Sequence, residues 1–233
     1  MTWMREEAAR HDMLVAGSIP ERRGDRLLNT LFIAEPDGRL HRYAKRQPFK
    51  TELPAFDFGD DESIVATSLG RAGCAVCADL DWGRTLLQPF AGNVDLLLFS
   101  RASALPKSLA RGICQLERKR PFLGGAAEAI GAPMLLAGLV GTTERQWRLL
   151  PSYVFGGNYL FGGTWITDPS GRALANVPFG EEGLAVSDVR IGSTGGDPDA
   201  KVFRDPSLVY NFLIALIVVD APANQRPPRR SRQ

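Results

Sequence analysis

The sequence predicts a layered α/β fold, and three observations carry that expectation. Strand-like segments alternate with helical ones along most of the chain. Two turn motifs, Glu35-Pro36-Asp37-Gly38 and Asp168-Pro169-Ser170-Gly171, each sit between apolar segments of strand length, as in β-hairpins. The run Val94-Asp95-Leu96-Leu97-Leu98-Phe99 is almost continuously apolar, the pattern of a strand covered on both faces. Helices packed over sheets satisfy all three.

Residues 2–11 read as a short helix with Thr2 as its N-cap and Glu6 and Glu7 in the early turns. Residues 13–16 form a first strand ending at Gly17, and residues 20–26 a polar loop. Residues 28–34 and 40–45 are the arms of the first hairpin. The segment 46–62, rich in Pro, Phe and Asp, is a long irregular connection, and ordered loops of that length are often functional. Residues 63–67 and 72–77 are short strands joined by a turn at 68–71. A helical stretch near 84–91 leads into the apolar strand at 94–99. Residues 105–130 read as mostly helical, interrupted at Pro121 and Gly124-Gly125, and residues 134–140 as another buried strand. The second hairpin turn, 167–172, echoes the first. Residues 192–198 form a loop.

Composition bounds the function. The chain has 233 residues, 44% hydrophobic and 23% charged, with a formal net charge of +2, which is ordinary for a globular domain. Near-neutral charge gives no reason to expect nucleic acid or an acidic membrane as partner. The charged start Met1-Thr2-Trp3-Met4-Arg5-Glu6-Glu7 lacks the apolar core of a signal peptide. The longest apolar stretch, 208–219, is short of the roughly 20 residues that span a bilayer. Three cysteines point to a reducing compartment, so a cytoplasmic location is expected. Two histidines, His11 and His41, and the absence of HExxH, GxSxG, GxxxxGK and GxGxxG motifs leave little for histidine-based or phosphate-cradling chemistry.

Cys74 and Cys77 form a lone C-x-x-C. No second pair completes a zinc site, and no metal or cofactor is expected. Cys74 lies mid-strand and reads as core. Cys77 closes the strand just before a turn toward a helix; by position alone it reads first as a buried small hydrophobe, and second as a thiol exposed near a helix N-terminus that favours thiolate.

Gly70-Arg71-Ala72-Gly73-Cys74-Ala75-Val76-Cys77-Ala78-Asp79 resembles the nucleophile segment of the nitrilase superfamily, the carbon–nitrogen hydrolases. Tyr43-Ala44-Lys45-Arg46 resembles that family's lysine motif, with Asn29-Thr30 and Pro36-Asp37-Gly38 as its lead-in. Glu52-Leu53-Pro54 resembles the second glutamate motif. Phe161-Gly162-Gly163-Thr164-Trp165 and Glu181-Glu182-Gly183-Leu184 resemble the later strand–turn–strand region. The resemblance covers about residues 3 to 190 and implies a four-layer α-β-β-α sandwich. Within it Cys77 would be the nucleophile, Lys45 the cation for thiolate and oxyanion, Glu52 the group holding that lysine, and the Ala78 N–H the second oxyanion donor. Asp79 and Trp82 would line the substrate site.

Three departures stand out. Ala78 replaces the usual aromatic, Asp81 stands where a basic residue is common, and Gly83-Arg84 replaces Pro-Glu. The family's general-base glutamate belongs to a strand preceding residue 2, so the chain is expected to lack the first strand and helix and that base. The resemblance therefore implies a hydrolase of small amides, less readily nitriles, acting through a Cys77 thioester. The alternative is a truncated, non-catalytic binding or oligomerisation protein, and a weaker one a Cys74–Cys77 redox pair. The expected layout is a hydrolase domain over 1–206, an apolar segment at 207–221 suited to a subunit contact in a homo-oligomer, and a disordered basic tail at 222–233.

Overall fold

A computed structural model of the chain describes residues 1–49, 52–53, 55–81, 87–102, 104–106, 122–143 and 158–200. The expectations for 207–221 and for the tail lie outside these residues.

Helix α1 (Thr2–His11) buries Met4 and Ala8, one turn apart, and ends at Asp12 in the left-handed conformation. Met1 occupies its N-cap, so Thr2 is the first helical residue and not the cap. Strands β1 (Val15–Arg23), β2 (Arg26–Ala34) and β3 (Leu40–Ala44) form an antiparallel sheet in that order. β1 runs through Gly17 and Pro20, farther than the sequence indicated. Among the described residues its only partner in the sheet is β2, and an edge strand tolerates a proline that lacks an N–H.

The second sheet has its main path in the order β11-β10-β8-β6-β5-β4. Its members are β4 (Ile64–Thr67), β5 (Gly70–Val76), β6 (Leu96–Arg101), β8 (Met134–Gly138), β10 (Asn158–Thr167) and β11 (Ala173–Phe179). β5, β6 and β8 run parallel, with β4 and β10 antiparallel to their neighbours. The start of β10 pairs with β7 (Ala104–Pro106) and β9 (Val140–Thr143). Residues 104–106 are therefore strand, and the described part of the expected helix is α2 (Phe122–Ile130); residues 107–121 are outside the description. Near 84–91 the described residues include the 3-10 turn Gln88–Phe90.

Period-two alternation assigns the layers. From β2, Phe32 and Ala34 pack with Met4 and Ala8 of α1. Leu31 and Ile33, on the other face, meet Tyr43 of β3 and Ala72, Cys74, Val76, Leu96 and Leu98 of the second sheet. The opposite face of that sheet supplies Ala75, Leu97, Phe99, Met134 and Leu136 to a core with Phe90 and with Ala127, Ala129 and Ile130 of α2. The order α1, first sheet, second sheet, α2 is the α-β-β-α sandwich. Ser18 of β1 and Ser100 of β6 hydrogen-bond across it.

α2 ends at Gly131, whose φ of 74° only glycine adopts without strain. A Cβ there would also lie 2.1 Å from the Gly195 carbonyl oxygen, because residues 192–197 dock on this helix end.

Away from the site described below, Glu35 joins the turns of two hairpins. Its fully buried carboxylate accepts from Ser68 N–H of the β4–β5 turn at 2.7 Å, and it pairs with His41 at 2.6 Å and Arg39 at 3.3 Å. Burial pushes this carboxyl up, but the bonds from His41 and Ser68 outweigh it and hold the group below its usual 4.5. A carboxyl depressed in the fold contributes stability above its unfolded value, lost as pH falls through the folded one. Glu35→Gln should therefore lower the unfolding temperature at pH 6 more than at pH 3, a difference that thermal melts at both pH values would measure.

Candidate active site

Cys77 lies at the C-terminal end of β5, a parallel strand, which is where open α/β sheets present their reactive groups. The strand stops at Val76 and a 3-10 helix, Cys77–Asp81, begins at once. That abrupt turn puts Cys77 at φ 49°, left-handed and not shared by ordinary strand or helix residues. A non-glycine residue held there costs on the order of 1–3 kcal/mol and persists only where its surroundings impose it. Ala78 is the second residue of this helix, so its N–H falls in the first turn, where amides lack intrahelical acceptors.

The lysine strand approaches from the other sheet. Lys45 follows β3 directly, and its N–H donates to the Asn29 carbonyl at 2.8 Å, extending the ladder by one residue. Its side chain is only 1% exposed, which for an ammonium requires a partner. Nζ donates to Glu52 Oε2. The Glu52 carboxylate also accepts from Phe49 N–H at 2.6 Å and from Asn29 Nδ2 at 3.2 Å. Glu52 itself is fixed by a turn in which its N–H donates to Phe49 O and its carbonyl accepts from Ala55 and Phe56.

Residues 57–61 return along the end of the first sheet and brace this lysine. Gly59 N–H donates to Lys45 O at 2.9 Å, and a Cβ at Gly59 would fall 2.0 Å from the Ala44 oxygen, so only glycine permits the approach. Asp61 accepts from Ala44 N–H and from Arg23. Burial pushes its carboxyl up, but Arg23 and the Ala44 amide more than offset this and hold it below 3.8.

Asp79 is 0% exposed. Its Oδ2 accepts from Val76 N–H at 3.0 Å and from the Tyr43 hydroxyl at 2.9 Å, and its Oδ1 from Gln47 N–H at 3.1 Å. Both oxygens are thus engaged inside the protein. Burial pushes its carboxyl up to about 6 against those three hydrogen bonds and the nearby Lys45 charge. Burial and the Asp79 carboxylate push the Tyr43 phenol up, so it donates as a neutral hydroxyl.

The structure thus joins Lys45 with Glu52 and links the turn bearing Cys77, through Asp79, to the loop after Lys45. Trp82, expected at the substrate site, lies outside the described residues. Cys74 faces the core between the sheets, where burial pushes its thiol up to about 12, and both Cys74 and Cys77 are free thiols. Among the described residues no group of three or more His, Cys, Asp or Glu side chains is placed to hold a metal ion, and no helix is long and apolar enough to cross a membrane. Sequence reasoning misses Asn29, Gln47 and Tyr43 as supports of the site; Tyr43 enters only as part of the lysine motif and Asn29 only as part of its lead-in.

Comparison with known proteins bears on the family and the fold. The sequence model of the carbon-nitrogen hydrolase family matches residues 1–198. A chloroplastic omega-amidase of Arabidopsis thaliana is 31% identical over 99 residues, a stretch covering 38% of this chain and only 27% of that protein's length. A carbon-nitrogen hydrolase superfamily protein of Xanthomonas campestris, solved with an arsenic adduct in its active site, superposes with a TM-score of 0.61 at 20% identity, over 96% of this chain and 74% of that one. A variant amidase of Nesterenkonia sp. AN1, with acrylamide added at its active-site cysteine, gives 0.60 at 18% identity, over 86% and 70%.

Proposed function

The chain belongs to the carbon-nitrogen hydrolase family of the nitrilase superfamily, and on that premise we propose that it hydrolyses small amides through a Cys77 thioester. The observation that carries this reading is the left-handed Cys77 at the end of a parallel strand, tied through one buried carboxylate to the loop of a buried lysine. The superfamily protein and the amidase whose structures carry active-site adducts, one of them on a cysteine, support the same chemistry.

In this reading the Cys77 sulfur attacks the amide carbonyl carbon and a C–S bond forms. Lys45 Nζ and the Ala78 N–H stabilise the oxyanion. The C–N bond then breaks, the thiol proton leaves on the nitrogen, and ammonia or an amine departs. Water hydrolyses the thioester, releasing a carboxylic acid and restoring the thiol. Glu52 keeps Lys45 charged and in place. No cofactor takes part. Amides are preferred over nitriles because the omega-amidase and the Nesterenkonia amidase are amide-directed relatives.

The test is ammonia release from a panel of short aliphatic amides, with intact-protein mass spectrometry on the quenched reaction. Sustained release and an acyl adduct on Cys77, both lost in Cys77→Ala, are expected. One adduct per chain without turnover would leave a covalent binder, and neither signal would remove the hydrolase reading.

A further inference from the structure

The Asp79 carboxylate touches the nucleophile turn, the lysine strand and the loop after the lysine. Val76 immediately precedes Cys77. Tyr43 and Gln47 flank Lys45 by two residues on either side, and they belong to the other sheet and its exit. The Tyr43–Asp79 bond therefore crosses from one sheet to the other. Between the strained cysteine and the buried lysine, this cross-sheet carboxylate fixes how the two are placed. A substrate would have to reach a carboxylate that is 0% exposed and whose two oxygens each already accept inside the protein.

We propose that Asp79 is a positioning residue that sets the placement of the Cys77 thiol relative to the Lys45 ammonium, and does not bind substrate. This rests on the reading of Cys77 as nucleophile and deepens it.

The physical basis is the count of donors. An ionised Asp79 accepts all three, which is what a carboxylate with two oxygens can do. Its isostere asparagine cannot. If the amide oxygen takes the place facing Val76 and Tyr43, the NH2 group opposes Gln47 N–H. In the other orientation the NH2 opposes Val76 N–H. In either case one amide loses its acceptor, and the cysteine turn or the lysine loop is released. Protonation does the same in milder form, since it turns one acceptor oxygen into a donor.

Alkylation of Cys77 by iodoacetamide, followed by peptide mass spectrometry on the full-length chain at pH 8, tests this without a known substrate. Circular dichroism and a thermal melt certify that each variant is folded at the assay temperature. In folded Asp79→Asn the rate at Cys77 should fall by about 10²-fold, as a displacement near 1 Å would produce. If that variant does not fold, Tyr43→Phe removes one hydroxyl donor and leaves both backbone donors in place, and it should show a smaller decrease of about fivefold, on the scale of one neutral hydrogen bond. Where amide turnover is measurable, kcat should fall with KM little changed. A folded variant that alkylates at the wild-type rate overturns the proposal, and so does a KM increase with kcat unchanged, which would return Asp79 to substrate binding. A separate control distinguishes the underlying reading. If wild-type Cys77 alkylates no faster than the same cysteine in the urea-unfolded chain, the nucleophile assignment fails and this role fails with it.

Discussion

Glu52→Ala is expected to destabilise the chain by about 3 kcal/mol, because removing one partner of a buried ion pair leaves an uncompensated charge. Lys45 is 1% exposed and donates to Glu52, whereas the Glu52 side chain keeps 24% exposure. Water can therefore reach the glutamate end, which places the loss at the lower end of the usual range. Two further donors lose their acceptor in the same substitution, Phe49 N–H and Asn29 Nδ2. The backbone bonds of residue 52 to Phe49, Ala55 and Phe56 remain, so the loss falls on the side-chain contacts. Urea unfolding of the variant measures the loss as a lowered midpoint. The charge argument has its own control. Adding Lys45→Met to Glu52→Ala removes the stranded ammonium, so the double variant should recover part of the lost stability. If it does not, the lost hydrogen bonds at Phe49 and Asn29, and not the buried charge, account for the effect.

The layered architecture was legible because burial imposes strict alternation. Leu31 and Ile33 face one way and Phe32 and Ala34 the other, and the apolar run ending at Phe99 belongs to a strand covered on both sides. Both hairpins fell where turn chemistry placed them, at Pro36-Asp37-Gly38 and Pro169-Ser170-Gly171. The passage of β1 through Pro20 was not legible, because a proline excludes a central strand but not an edge, and edge position is a property of the whole sheet. Nor was the 104–106 strand, which is defined by pairing with β10 more than 50 residues later. At the site, the turn at Cys77 could be anticipated from an apolar strand running into Ala78-Asp79. The burial of Lys45 could not, since a lysine at a strand end is ordinarily solvated and only the resemblance singled it out. Asp79 was legible as a residue of the motif but not in its contacts. Two of its three donors, Tyr43 and Gln47, lie over 30 residues earlier, on the opposite sheet and in the loop that leaves it.

Lys45→Met is expected to do the reverse of Glu52→Ala, with a large effect on turnover and a small one on the fold. Methionine keeps most of the volume of the buried stem, and flexible thioethers fill such space well. Glu52 loses its ammonium partner but retains Phe49 N–H, Asn29 Nδ2 and access to water, so no charge is left stranded. The unfolding midpoint should move by no more than about 1 kcal/mol in equivalent stability, the net worth of a partly exposed hydrogen bond. Catalysis loses more. The ammonium is the full positive charge near the developing oxyanion in the proposed mechanism, and removal of a single neutral oxyanion donor elsewhere costs about 10²–10³-fold. A charged donor in a site walled by two sheets should cost at least that, so kcat for amide hydrolysis is expected to fall by about 10³-fold or more. Initial acylation should suffer most, because thiolate formation and carbonyl attack both develop negative charge that Lys45 meets with a whole charge. Single-turnover mass spectrometry, counting acyl-Cys77 against time, separates that step from thioester hydrolysis. A folded Lys45→Met chain that acylates at the wild-type rate would remove the lysine from the chemistry and leave it as a buried structural cation for Glu52.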